Sequence, residues 1–190
     1  MLWFLTSVAL AEQRVLFHCD PVAKTVLSSG VGVFGTQGPW DVWMGTDADV
    51  LFSRSFAKPR CLRWGSRAHV SWVSPWREEG VLGIEAVAKT QMVIGYQGMV
   101  WEQVAMGGYL LGGAKIHHVR QRVSYPERNI DSNYTSTAVL PALSLYMTVD
   151  VFPRENLGVH LNVSLPLMDY EREFYWYNNR LVGVGLSFRI

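Results

Sequence analysis

The sequence lacks a long apolar run, a strong net charge and a basic stripe interleaved with aromatic residues. No stretch approaches the roughly 18 apolar residues that a membrane-spanning helix needs. Any membrane insertion would therefore have to use strands that satisfy one another's backbone groups. A formal net charge of +1 over 190 residues argues against a nucleic-acid-binding protein. The composition is compatible with one ordinary soluble domain and with a membrane β-barrel.

Metal and cofactor signals are also missing. The histidines His69, His117, His118 and His160 do not have the spacing of a familiar zinc site. We therefore expect neither a metal nor a cofactor. The sequence does not define an oligomeric state.

The N-terminal residues 1–11 have the features of an export signal. Leu2 to Leu10 is a short apolar core, and Ala9-Leu10-Ala11 is a small-x-small cleavage pattern that would leave a single domain at 12–190. The usual basic region is missing, so either the true start lies upstream or the segment is a buried part of the fold. Cys19 and Cys61, the two cysteines, would reach an oxidising compartment after export. They are then either a disulfide near the periplasmic end or two unpaired thiols.

Alternation of side-chain polarity is the strongest feature of the chain. In the last twelve residues, Val182, Val184, Leu186, Phe188 and Ile190 alternate with small or polar residues, as in a strand that separates an apolar phase from a polar one. The same pattern, with turn residues between, predicts about eight strands without a linker. They are approximately 23–35, 40–52, 62–74, 82–94, 104–118, 143–151, 157–167 and 179–190. The turn signals between them include Pro75 to Gly80 and Gly95 to Gly98.

The closing strand resembles the C-terminal signal of bacterial outer-membrane β-barrels. Gly185, Phe188 and Ile190 occupy the signal positions, with Ile190 in place of the usual terminal aromatic. The resemblance is to the small OmpA and OmpX type. It implies an all-β fold, an antiparallel up-and-down transmembrane barrel of about eight strands, in the outer membrane of a Gram-negative bacterium. It also implies contact with the barrel assembly machinery and with outer-membrane lipid and lipopolysaccharide.

Alternation alone does not say which face of the barrel is outside, because a soluble lipocalin-like ligand-binding barrel has apolar residues inward. The apolar faces carry no charge through their middles, and Trp64 and Trp72 are spaced roughly 20 Å apart, close to the interval between aromatic girdles. These features favour a barrel whose apolar outer face contacts lipid. The predicted lipid-facing set is Val42, Met44, Trp64, Val70, Trp72, Ile84, Leu145, Met147, Leu161, Val163, Leu186 and Phe188.

The polar faces carry charges of both signs, which suit a narrow lumen. The predicted lumen cluster consists of Asp47, Asp49, Arg63, Arg67, His69, Glu85 and Lys89. A symmetric connection centred near Phe56 and Ala57 would place Asp47 opposite Arg67, and a second, centred on Arg77, would place Glu85 opposite His69. We therefore expect Arg67 to lie between the carboxylates of Asp47 and Glu85.

The connections suggest a function at the surface. The segments 120–135 and 169–178 are the longest predicted loops, and both would be extracellular if the termini are periplasmic. Their aromatic and charged residues could contact partners or lipopolysaccharide. They are Arg120, Arg122, Tyr125, Glu127, Arg128, Tyr134, Tyr170, Glu171, Arg172, Phe174, Tyr175, Trp176 and Tyr177. The first hypothesis is thus a structural or surface-interaction role, with the lumen filled by polar side chains.

An enzyme that modifies lipid A is the alternative. His117 and His118 lie at the top of the fifth predicted strand, and Ser132 and Ser136 lie in or beside the long loop. A serine nucleophile needs a base within hydrogen-bond reach. No motif enforces that geometry, and adjacent histidines in a strand point to opposite faces. Polar residues in water at the rim explain the same pattern.

Overall fold

The computed structural model describes residues 19, 24–37, 42–56, 61–78, 81–169 and 180–190. The predicted signal segment 1–11 lies outside these residues, as does most of the predicted loop 169–178. The strands are β1 Thr25–Gln37, β2 Val42–Ser55, β3 Leu62–Glu78, β4 Val81–Trp101, β5 Val104–Tyr125, β6 Ile130–Arg154, β7 Leu157–Asp169 and β8 Arg180–Arg189. The described part of the chain contains no helix long and apolar enough to cross a membrane.

The eight strands form a closed antiparallel barrel in sequence order, as predicted. Each strand pairs with the next, and β8 returns to pair with β1, with Leu27 opposite Phe188 and Gly35 opposite Arg180. At the foot of this seam, the backbones of Thr25 and Ile190 exchange two hydrogen bonds, of 3.1 and 2.9 Å. Closure leaves no free sheet edge within the ring. Because the strand number is even, both ends of the barrel domain lie at the same rim.

The seam between β8 and β1 depends on small residues that face inward. A Cβ atom on Gly185 would collide with the backbone oxygen of Ser29, so the two strands can approach only if this position is glycine. A Cβ atom on Gly183 would lie 2.9 Å from the amide of Asn162, whose side chain occupies the space inside the seam. Close packing of β8 against β1 therefore explains why position 185 of the predicted C-terminal signal is a glycine.

Strand pairing continues into two predicted turns, so the turn predicted at Gly95 to Gly98 is wrong and the one predicted at Pro75 to Gly80 is shorter than expected. Glycines at 95 and 98 suggested a connection, but Gly95 pairs with Tyr109 and Gly98 with Met106, and the turn lies at Glu102 and Gln103. Pro75 also suggested a turn. Instead β3 continues to Glu78 past a register shift between Val73 and Trp76. A bulge tolerates proline because it does not need the missing ladder donor.

The predicted long loop at 120–135 is also wrong. The ladder between β5 and β6 continues up to Tyr125 opposite Ile130, and a 3₁₀ turn at Pro126–Arg128 with Asn129 at a φ of 51° closes the hairpin. Asparagine is one of the few non-glycine residues that adopt this left-handed conformation readily. On its other edge, β6 pairs with β7 only from Ala142 downward. Residues 119–136 therefore extend above the β6–β7 pairing, while β5 remains paired with β4 as far as Val123. This segment is here called the protruding hairpin.

Candidate functional site: the polar lumen and the protruding hairpin

Polarity is inverted relative to a soluble barrel, because the apolar side chains face outward. Eight members of the predicted lipid-facing set have exposed fractions between 38% and 49%. They are Trp64, Val70, Trp72, Ile84, Met147, Leu161, Leu186 and Phe188. Leu145 and Val163 share this face by strand parity, and the side chains of Val42 and Met44 lie outside the described part of the structure. The lipocalin-like alternative is wrong, since it would bury these residues inside.

Six of the seven predicted lumen residues are buried inside the ring, and Lys89 is half-buried there. Arg67 lies at the centre with an exposed fraction of 2%. Its Nε atom donates a 2.8 Å hydrogen bond to Oδ2 of Asp49, and its guanidinium carbon lies 4.4 Å from the ring centroid of Tyr146. Nη1 donates a longer bond, of 3.5 Å, to Ser164 Oγ. One arginine thus links β2, β3, β6 and β7 across the lumen.

A chain of hydrogen bonds continues from this arginine toward the rim that carries the β4–β5 connection. The Tyr146 hydroxyl donates to Asp49 Oδ2 at 3.1 Å and also lies 3.0 Å from His160 Nε2. Nδ1 of His160 lies 2.7 Å from Asp150 Oδ1, and Gln97 donates to the other oxygen of Asp150 at 3.0 Å. These contacts connect the central arginine to Asp150 and Gln97 through Tyr146 and His160.

A second group of charged side chains occupies the half of the lumen nearer the protruding hairpin. Nε2 of His69 lies 3.0 Å from Asp47 Oδ2, and Nε2 of His117 lies 2.8 Å from Glu85 Oε1. Lys115 is buried on the same inner surface, opposite Lys89 in the register. Toward the other end, Arg63 donates to Ser53 Oγ at 3.1 Å. Buried charges are therefore paired with hydrogen-bonding groups at several levels of the barrel, as a low-dielectric interior requires.

The predicted partners of Arg67 are wrong, although its inward orientation is right. Asp47 is opposite Ser71, Asp49 is opposite His69, and Glu85 is opposite Val73. Arg67 pairs with Asp49, while Asp47 pairs with His69. The connection between β2 and β3 is centred on position 59, because Ser55 pairs with Arg63. An even shift of register keeps every side chain on its predicted face but changes its neighbours.

Three members of the central chain were absent from the predicted cluster: Tyr146, Asp150 and His160. Each had a polar-face position by alternation, so its inward orientation was readable from the sequence. Their contacts with Arg67 and Asp49 cross the barrel, however, and alternation along a strand has no information about which strands face each other. Tyr109 and Lys115 were missed for the same reason, since both are fully buried in the lumen.

The structure separates the catalytic candidates. The ring of His117 faces inward and contacts Glu85, whereas His118 faces outward and its Nδ1 lies 2.9 Å from the Thr137 hydroxyl. Ser132 is exposed opposite Val123, and Ser136 is half-buried opposite Val119. Neither of the histidine bonds described here is to a serine. Among the described residues, no group of three histidine, cysteine or acidic side chains could hold a metal ion.

The protruding hairpin carries its own polar contacts on its outer face. Arg122 makes a bidentate pair with Asp131, through Nε to Oδ1 at 3.2 Å and Nη2 to Oδ2 at 2.9 Å. The guanidinium of Arg122 lowers the pKa of Asp131, which is exposed to solvent. Two residues below it on the same face, Arg120 is exposed and lies opposite Thr135. Below Arg120 lie Ile116 and Val139, which are 49% and 71% exposed. They belong to the band of outward-facing apolar side chains around the barrel, here called the apolar belt.

At the opposite rim, Cys19 and Cys61 form a disulfide with a Cα–Cα distance of 4.7 Å. Cys61 directly precedes β3 and is fully buried, while Cys19 is partly exposed. The backbone oxygen of Cys61 accepts a 2.9 Å hydrogen bond from Gln97 of β4. The disulfide bond therefore attaches the segment before β1 to the base of the barrel.

Two solved structures are similar to this chain in fold. The first is Ail, the attachment invasion locus protein of Yersinia pestis, with a TM-score of 0.53, 13% identity, and coverage of 88% of this chain and 99% of Ail. The second is Neisserial surface protein A, with a TM-score of 0.52, 12% identity, and coverage of 90% and 100%. No family model matches the chain, and no curated protein matches it by sequence.

The fold and the distribution of polarity together define the class of protein. A closed ring of eight antiparallel strands, an apolar exterior and a charged interior are the features of a bacterial outer-membrane β-barrel. The resemblance expected from the closing strand is confirmed at this level.

Proposed function

We propose that this protein is an outer-membrane barrel with a structural and surface-interaction role, whose lumen is filled and whose protruding hairpin contacts the outer leaflet. The lumen part of the proposal depends on one observation, the contact of Arg67 with Asp49, Tyr146 and Ser164 across the barrel. An eight-stranded barrel has an interior just wide enough for side chains to fill. Arginine and tyrosine at its centre leave no room for a general diffusion pore.

Conductance in planar bilayers tests the filled lumen. The wild-type barrel should insert without opening steady channels, and Arg67→Ala combined with Tyr146→Ala should produce measurable conductance because the two largest central side chains are removed. Val70→Ala, an outward substitution in the same strand, is the matched control and should remain closed. Steady channels in the wild type would refute the proposal.

The hairpin part of the proposal rests on charge and position. Arg120 is an exposed cation on the outer face at the edge of the apolar belt, opposite Ile84 of β4 and above Ile116 and Val139. That is the level at which the phosphates of lipopolysaccharide lie. A guanidinium binds phosphate through paired hydrogen bonds, and Thr135 opposite it can donate a further one.

Binding to lipid A in vesicles tests the hairpin contact. Arg120→Gln should lower retention of bisphosphorylated lipid A around the purified barrel, with little change for dephosphorylated lipid A. Arg154→Gln is the control, because Arg154 is also exposed but lies at the opposite rim. Equal retention by wild type and Arg120→Gln would contradict this contact.

Export and assembly complete the proposal. We propose that residues 1–11 direct export and that Gly185, Phe188 and Ile190 are recognised by the barrel assembly machinery. The position of these three residues on the closing strand supports this, since the last strand must pair with β1 to complete the ring.

A further inference from the structure

The disulfide at the base of the barrel joins two sulfurs in different surroundings. The side chain of Cys61 has an exposed fraction of 0%, whereas Cys19 is partly exposed. Odd-numbered residues at the start of β3, such as Arg63 and Arg67, point into the lumen, and Cys61 continues that series. Its sulfur therefore lies at the periplasmic end of the lumen, inside the ring.

Backbone hydrogen bonds close the rim at which Cys61 lies. The Cys61 backbone is bonded to Gln97 of β4, and the residue before β1, Lys24, accepts a 2.8 Å hydrogen bond from the backbone of Ser55 at the end of β2. These two bonds join neighbouring strands, whereas the bonds between Thr25 and Ile190 join β1 to the end of β8 and form only when the barrel closes. The lumen that buries Cys61 exists only in the closed ring.

Disulfide formation by an oxidising protein requires access to the sulfurs. One cysteine thiolate attacks the disulfide of the oxidant and forms a mixed disulfide, releasing one thiol of the oxidant. The second cysteine thiolate then attacks the mixed disulfide, forms the intramolecular bond and displaces the second thiol. Two electrons pass to the oxidant, and its two sulfurs take up the two protons that the cysteines lose. A sulfur buried inside the ring is out of reach of a protein oxidant, so a sequestered Cys61 is a poor participant in either step.

We propose that Cys19 and Cys61 are oxidised by disulfide exchange with a periplasmic protein disulfide before the barrel closes. The closed ring then keeps Cys61 from further exchange. The chain is thus a substrate of thiol oxidation in its unfolded, exported state. Oxidation ties the segment before β1 to the connection between β2 and β3 while these strands are still unpaired. This order of events does not depend on the proposed role of the hairpin.

The order of disulfide formation and barrel closure can be measured by refolding the reduced, full-length chain into lipid vesicles in the presence of oxidised glutathione. Samples are taken over time, free thiols are blocked with a maleimide that adds mass, and the chains are separated by non-reducing gel electrophoresis without heating. The folded barrel migrates differently from the unfolded chain. We expect the disulfide to appear first in the unfolded species. Accumulation of folded, reduced barrel that then oxidises as fast as the unfolded chain would overturn the proposal. Failure of the reduced chain to fold under reductant would support it, because oxidation must then come first.

Single-cysteine variants test the burial of Cys61 directly. In the folded Cys19→Ser barrel, Cys61 should react with maleimide at least ~10-fold more slowly than in the unfolded chain. The matched Cys61→Ser barrel should show a much smaller slowing at Cys19. Equal protection factors for the two cysteines, or none at Cys61, would contradict the proposal. The refolding order remains decisive if Cys19→Ser does not fold.

Discussion

The wall of the barrel and the protruding hairpin are built from the same strands, β5 and β6, but are stabilised differently. Within the ring, the two faces of β6 meet lipid and a charged lumen, so buried Tyr146 and exposed Met147 alternate. In the β6 half of the hairpin exposed residues occur on both faces, including Asp131 and Ser132. Pairing there continues without a buried side, supported by surface contacts such as Arg122 with Asp131. The hairpin should therefore be dispensable for the barrel, whereas the ring should not tolerate loss of a strand.

Truncation should reveal the largest difference between the two regions. Deleting Phe188 to Ile190 removes the residues that pair with Leu27 and Thr25, and an opened seam would leave backbone groups unsatisfied in hydrocarbon. We expect assembly to fail. Replacing residues 123–132 by an Asn-Gly turn should leave assembly intact, since Arg122 and Asn133 are already paired. Heat-modifiable gel migration measures the assembly of both variants. Normal insertion of the truncated chain would contradict closure at this seam.

The central lumen pair should show the next largest effect. Arg67→Ala leaves Asp49 buried without its cation, which should cost about 3–5 kcal/mol if water is excluded and less if the lumen is wet. Urea titration in lipid vesicles measures the change in the free energy of unfolding. The double variant Asp49→Ala with Arg67→Ala should recover part of the loss, because no unpaired charge remains. Additive losses in this cycle would mean that the two side chains do not interact energetically.

A charge placed on the lipid-facing surface should cause the third-largest loss of stability. Val70→Arg or Leu161→Arg should each cost about 2–4 kcal/mol near the bilayer midplane. Both residues are close to half exposed on the outer face. Ser132→Arg, at an exposed position near the tip of the hairpin, is the control and should leave stability unchanged. If Val70→Arg were equally neutral, the assignment of the outer face to lipid would be wrong.

The difference between the ring and the hairpin also explains which features could be predicted from the sequence. In the ring, contrast between lipid and lumen produces alternation, so the strands, their inward and outward faces and the orientation of Arg67 were all readable. In the hairpin that contrast is absent, and the polar residues from Arg120 to Thr135 looked like a loop. The pairing of Arg67 with Asp49 rather than Asp47 was not readable either. It depends on where the β2–β3 connection is centred and on cross-barrel distances, and neither leaves a periodic signal.

The Arg122–Asp131 pair should show the smallest effect, confined to the hairpin. Arg122 lowers the pKa of Asp131, so the carboxylate is more acidic in the folded hairpin than in the unfolded chain. A lowered carboxyl pKa means that the contribution is fully present above the unfolded value, about 3.9, and is lost as the pH falls through the folded value. The protection factors of the hairpin amides, which correct for the intrinsic pH dependence of exchange, should therefore fall on acidification below about pH 4, while those of the ring amides are maintained. Asp131→Asn should exchange faster at neutral pH and lose this acid-dependent step. An unchanged step in that variant would assign the pH dependence to another carboxyl group, such as Glu127 at the hairpin tip.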